Sequence, residues 1–168
     1  AGGVTTVIDM PNNTPSCCTE ERFNEKKLLI DSQLQAADIP LRYFLYLGAD
    51  ERHLDEIENL ADRIAGLKIY MGSSTGDLLI KDPQMLEKAF RLAAENDVLV
   101  TVHAEDEELL RKKERQYEGN LNPSIHSLIR SPEVAAKAVE MAIALAEKYG
   151  TRLYIANVST QEELALIR

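Results

Sequence analysis

Leu67-Lys68-Ile69-Tyr70-Met71 runs into the loop Gly72-Ser73-Ser74-Thr75-Gly76. Asp82-Pro83 then opens a segment in which Met85, Leu86, Ala89, Phe90, Ala93 and Ala94 share one helical face, and Val98-Leu99-Val100-Thr101-Val102 follows. Short apolar runs bounded by turn residues read as buried strands. The spacing between them reads as a helix with an Asp cap and a proline at its first position. Strand, helix and strand in this order form a βαβ unit, whose strands are parallel.

The same rhythm extends in both directions. Upstream, Gly3 to Met10 reads as a strand stopped by Pro11-Asn12-Asn13-Thr14-Pro15, and Thr19 caps a helix with Glu20 and Glu21 in its first turn, running to about Ala37. Leu41 to Leu47 is a strand ended by Gly48, followed by a short helix near Leu54 to Ile64. Downstream, Glu105 to Glu118 reads as a solvated helix and Asn120 to Ser131 as a loop. Ser131-Pro132-Glu133 opens a helix stopped by Gly150. Leu153 to Val158 is the fifth strand, and Thr160-Gln161-Glu162-Glu163 is a capping box. Strand starts near 4, 41, 67, 98 and 153 predict an α/β fold with a parallel sheet and no internal linker. A flavodoxin-like module, with Gly72 to Gly76 cradling a phosphate, is the alternative to a barrel at this point.

Composition narrows the classes. The 168 residues are 45% hydrophobic and 28% charged, enough to bury a core, which excludes whole-chain disorder. The net charge of −9 argues against nucleic-acid and anionic-membrane partners. No apolar run has the length of a membrane span, and the start Ala1-Gly2-Gly3-Val4 lacks the basic region of a signal peptide. The two cysteines, Cys17 and Cys18, are adjacent. They are too strained a pair for an ordinary disulfide and too few for a zinc site by themselves, so they read as reduced thiols and a cytoplasmic location is expected.

In parallel sheets, ligands bind at the carboxyl ends of strands. Polar residues there carry the most information, because a buried polar group is costly unless paired. Lys68 lies inside a strand, on one face with Tyr70. It is either a lysine paired or snorkelling from the sheet end, or a lysine carrying a carbamate able to bridge metal ions. His103 ends the fourth strand on one face with Leu99 and Thr101, and Asn157 ends the fifth. Each has a plain structural reading, as does Asn12 in the loop after the first strand. His126, in a loop, reads as a surface residue. Their placement at the same end of successive strands is what singles them out.

Five segments together resemble the dihydroorotase family. They are Ala1 to Asn12 with its Met-Pro-Asn, Lys68-Ile-Tyr-Met-Gly-Ser-Ser-Thr-Gly76, Val102-His103-Ala-Glu-Asp106, His126-Ser-Leu-Ile-Arg-Ser131, and Leu153-Tyr-Ile-Ala-Asn-Val-Ser-Thr160. The close relatives of that family are hydantoinases and allantoinases, within the metal-dependent amidohydrolases. The resemblance implies a (β/α)8 TIM-type barrel, of which residues 1–168 form one partial domain covering about strands 2 to 6. It implies a zinc-dependent enzyme, with one or two ions, that interconverts dihydroorotate and N-carbamoyl-aspartate in pyrimidine biosynthesis. Lys68 falls at the carboxylated lysine that bridges the metals, His103 at a histidine ligand, and Asn12 at a contact to the substrate carboxylate. The expected partners are a small-molecule substrate and further copies of the chain in a homo-oligomer, with aspartate transcarbamoylase as an additional one.

The chain departs from the family pattern in three ways. The His-x-His pair of the first strand and its following arginine are absent. So is the eighth strand with its catalytic aspartate, which leaves no catalytic residue to assign. Asn157 stands where the family has a histidine metal ligand, and an amide oxygen is a weaker zinc donor than imidazole. Five βα units in 168 residues scale to roughly 270 for eight, the size of a barrel, so a middle piece is expected, inactive by itself. The loss of a ligand also raises the alternative of a non-catalytic scaffold that assembles with aspartate transcarbamoylase; a related hydantoinase or allantoinase is the other.

Overall fold

A computed structural model describes residues 2–72 and 78–168. Its strands are β1 (Thr6–Asp9), β2 (Arg42–Gly48), β3 (Gly66–Tyr70), β4 (Val100–His103) and β5 (Leu153–Ala156). The helices are α1 (Glu20–Ala36), α2 (Glu56–Leu60), α3 (Pro83–Glu95), α4 (Glu107–Gln116), α5 (Ile125–Ile129), α6 (Pro132–Tyr149) and α7 (Gln161–Ile167).

All strand pairs are parallel and the spatial order is β1-β2-β3-β4-β5, the order of the sequence. A flavodoxin-like sheet reverses direction at a switch point. This sheet has none, which removes that alternative and leaves the curled sheet of a partial barrel. Consecutive helices pack side by side outside it, α1 on α2, α2 on α3, α3 on α6 and α6 on α7.

Strand alternation sorts the side chains into two layers. Leu45, Leu47, Leu67, Ile69, Val100 and Val102 face the helices and join Phe23, Leu60, Ala89, Phe90, Ala93 and Val139 in one buried core. Tyr46, Lys68, Tyr70, Thr101 and His103 point the other way, into the concave face. On that face Thr101 donates its hydroxyl to Tyr46 Oη at 3.2 Å. Gly66 fits between strands because a Cβ there would stand 2.6 Å from the Leu99 carbonyl oxygen.

Caps act where the sequence places them. Thr19, Asp82 and Asp106 accept from backbone N–H groups of α1, α3 and α4, Gly150 adopts φ 69° at the end of α6, and Thr160 with Glu163 completes the capping box of α7. Four boundaries differ from the sequence expectation. The first strand begins only at Thr6, because Gly2 and Gly3 have positive φ. The helix expected over 54–64 shrinks to Glu56–Leu60, where Arg63 N–H bonds the Leu60 carbonyl in a tight turn that returns the chain to the sheet. The fifth strand stops at Ala156, because Asn157 turns left-handed. The expected loop 120–131 contains α5, preceded by an Asn122 side chain that accepts from both the N–H and the hydroxyl of Ser124. Most of loop 72–76 lies outside the described residues.

Candidate functional site

The concave end of β3, β4 and β5 carries a continuous chain of contacts. Lys68 is 3% exposed, and its Nζ stands 4.0 Å from the centre of the Tyr70 ring. Among the described residues its hydrogen bonding is one long contact of 3.5 Å to the Ile69 carbonyl. No carboxylate pairs with it among the described residues, so the paired-lysine reading finds no partner there. Desolvation pulls its pKa down to about 8, so the amine is mainly charged at neutral pH with a minor neutral fraction. The Tyr70 ring in turn lies 6.1 Å from the His103 ring.

His103 has a polar side-chain atom facing each of its nitrogens. Nε2 lies 2.8 Å from Glu105 Oε2, and Nδ1 lies 3.3 Å from Asn157 Oδ1. The same Glu105 oxygen also takes a hydrogen bond and ion pair from Arg130. Burial raises the Glu105 pKa, but the hydrogen bonds from His103 and Arg130 outweigh it and hold the carboxyl below its ordinary value. With Nε2–H donating to an ionised Glu105, Nδ1 carries the lone pair and faces the Asn157 amide oxygen, two acceptors that a cation can join and a hydrogen bond cannot. Metal-ligating histidines carry this kind of carboxylate partner on their other nitrogen. His103, Glu105, Arg130, Asn157 and Thr160 line a cleft of about 240 Å³.

The Glu105 backbone can come this close to β3 because of Gly72. A Cβ there would meet Glu105 Cβ and the Glu105 carbonyl oxygen at 2.6 Å. Asn157 has φ 65°, a conformation that asparagine adopts more readily than most residues. It turns the backbone there, and its amide oxygen lies 3.3 Å from His103 Nδ1.

Asn12 lies elsewhere, half-buried in the loop after β1. Lys26 on α1 clamps the start of that loop, pairing with Asp9 at 2.6 Å and donating to the Met10 carbonyl at 2.7 Å. The structure brings Lys68, His103 and Asn157 into one contact chain and keeps Asn12 apart, at the same end of the sheet. His126 is exposed on α5. Glu105 and Arg130 were not singled out from the sequence, although both lie in the segments Val102–Asp106 and His126–Ser131 that carry the resemblance.

No protein-family model matches the chain. A dihydroorotase of Methanosarcina mazei is 32% identical over 168 residues, all of this chain and 36% of the relative. An allantoinase of Deinococcus radiodurans is 28% identical over 171 residues, 99% of the chain and 37% of the relative. Among solved structures, the L-hydantoinase of Arthrobacter aurescens superposes with a TM-score of 0.85 at 25% identity, over 99% of this chain and 37% of that one. The chain is a homologue of these cyclic amidohydrolases. It spans about a third of the length of the curated relatives it matches. The five-stranded sheet is accordingly the partial barrel of that fold, and the homologous enzymes are hydrolases of cyclic amides. Among the described residues no helix is long and apolar enough to cross a membrane.

Proposed function

We propose that this chain is the strand 2 to 6 portion of a metal-dependent cyclic amidohydrolase of the dihydroorotase type. In this reading Lys68, His103 and Asn157 face the metal centre and Asn12 contacts the substrate carboxylate. The single observation that carries it is the setting of His103. Its Nε2 is occupied by Glu105, and its Nδ1 lies 3.3 Å from the amide oxygen of Asn157, just past the end of β5. Two ligands at about 2.0–2.1 Å from a tetrahedral ion stand about 3.3 Å apart. The donor set thus suits a zinc-class ion, with the amide of Asn157 as its weakest member.

The residues act as follows. Lys68, buried and partly neutral, attacks carbon dioxide through its amine. An N–C bond forms, the amine proton leaves to solvent, and the resulting carbamate supplies two anionic oxygens. Glu105 keeps His103 in the tautomer with Nδ1 free to coordinate. Arg130 keeps Glu105 ionised. Asn12 orients the substrate by its carboxylate. A metal ion bound there supplies Lewis acidity toward the ring carbonyl and a water nucleophile at neutral pH.

The test is turnover of dihydroorotate, allantoin and hydantoin by the intact protein that carries this segment, with Lys68→Met beside it. The expected result is dihydroorotate turnover that Lys68→Met abolishes. Turnover of hydantoin or allantoin in its place moves the assignment to those relatives, and unimpaired activity in Lys68→Met overturns the site. The 168-residue polypeptide alone is expected to be inactive. Asn157 favours a second reading, a ligand-poor scaffold. For that protein, none of the three rings is opened, and association with aspartate transcarbamoylase is the positive readout.

A further inference from the structure

A second group of metal-donor side chains lies at the same carboxyl end of the sheet but toward its β1 edge, on the loops that follow β1 and β2. Cys18, Asp50 and His53 place one sulfur, one carboxylate oxygen and one imidazole nitrogen within 4.8 Å of one another. We propose that these three residues bind a single zinc-class cation that clips the β1 loop to the β2 loop.

The backbone builds the site. Cys17 donates its N–H to the Pro11 carbonyl at 2.9 Å, and its own carbonyl accepts from Gly48 N–H at 2.8 Å. Cys17 thereby turns inward and is 1% exposed. Burial pushes its thiol up to about 11, so it remains a protonated core residue. The next residue, Cys18, faces the other way, toward the loop after β2.

On that loop Asp50 Oδ1 accepts from Arg52 N–H at 2.9 Å, and the Asp50 carbonyl accepts from His53 N–H at 3.0 Å. These two bonds fix the carboxylate so that Oδ2 lies 3.0 Å from His53 Nδ1. That separation is close to the roughly 3.3 Å between two tetrahedral zinc ligands. Arg52 also approaches Asp50 Oδ2 at 3.2 Å, but its side chain is 78% exposed and swings outward without disturbing the core.

Thiolate, imidazole and carboxylate together select a borderline cation such as Zn2+ over Ca2+ or Mg2+, which take oxygen ligands. The fourth position goes to water. The clip crosses from the edge strand β1 to β2 and lies a few residues from Asn12, so the cation steadies the loop that carries Asn12. No residue of this group is shared with Lys68, His103 and Asn157.

The experiment is titration of the chelator-stripped full chain with Co2+ under reducing, anaerobic conditions, followed by absorbance. The expected result is a thiolate-to-cobalt charge-transfer band and the intense visible bands of four-coordinate cobalt, saturating at one equivalent. Cys18→Ser removes the charge-transfer band, and His53→Gln weakens binding more than tenfold. Cys17→Ser and the double variant Lys68→Met/His103→Ala keep the band, because no sulfur belongs to the other group. Zn2+ displaces the colour and raises Tm in the native chain but not in Cys18→Ser. Absence of the band in the native chain overturns the proposal, as does a band that persists in Cys18→Ser or depends on Cys17. Circular dichroism of Cys18→Ser, a near-isosteric change at a partly exposed position, separates loss of the site from loss of the fold.

Discussion

Lys68 is costly where it stands. Its ammonium is desolvated, and it has only the Tyr70 ring and one long carbonyl contact among the described residues. A buried polar group without a good partner costs about 1–3 kcal/mol. Lys68→Met keeps the stem and removes the charge, so in the metal-free chain it should stabilise the fold by about 1–2 kcal/mol in urea unfolding. A loss of stability would show that the amine has a partner of real strength. The neighbouring prediction concerns Asn157. Its replacement by histidine puts an imidazole where an amide oxygen faces His103, and histidine tolerates the left-handed backbone. Asn157→His should raise zinc affinity in the intact protein. Equal metal content in the two forms would mean that position 157 does not face the metal.

These residues also show what a sequence can and cannot disclose at this scale. Lys68 and His103 stood out because a polar residue in an apolar strand breaks a two-residue pattern. Glu105 broke no pattern, following the strand in a charged stretch where acidic residues are ordinary. Its role depends on Arg130, a partner 25 residues away, and no periodicity encodes that distance.

Between elements, close approach matters more than charge. Gly72 brings the end of β3 against Glu105, and a methyl group there has nowhere to go. Gly72→Ala should cost about 1–3 kcal/mol by overpacking and should shift the His103 ring resonances, since Glu105 must move. Unchanged His103 signals would break the link. On the outer layer, Glu87 of α3 pairs with Lys148 and Tyr149 of α6. The Lys148 hydrogen bond, then that of Tyr149, holds the Glu87 carboxyl below its ordinary value. With the folded pKa depressed, the stabilisation is present above the pKa of an unfolded glutamate and is lost as pH falls through the folded value. Glu87→Gln should flatten that part of the acid unfolding profile, and an identical profile would assign the pair no role. Element types were readable because caps and apolar spacing are local. The lengths of α2 and β5 were not, because the Arg63 turn and the left-handed Asn157 answer to where the next strand must go.

At the scale of the whole molecule, the helix-facing layer is complete and the concave layer is open. Ile8, Phe44 and Tyr154 share that open face and are 50%, 51% and 56% exposed. Together with the unpaired outer edges of β1 and β5, they make the 168-residue polypeptide prone to associate with itself. Sedimentation should show oligomers that Phe44→Ser with Tyr154→Ser reduces in size. A native polypeptide that is monomeric at all concentrations would show that this face tolerates water. The sequential βα rhythm predicted the parallel sheet, and the strand order then excluded the doubly wound alternative, which the rhythm alone could not do.

The order β1 to β5 has one more consequence. Each strand hydrogen-bonds to the strand just before it in the chain, so every pairing closes a loop of a few tens of residues and none requires the distant ends to meet. Loop closure grows harder with separation, and folding slows as contacts become less local. A sheet laid down in this order can grow from its middle, where β3 and β4 are buried, and add one neighbour at a time. Its cooperativity is therefore graded along the chain. Slow amide exchange belongs to the centre and early opening to β1, where the proposed cation clip would act as a latch on the first unit to leave.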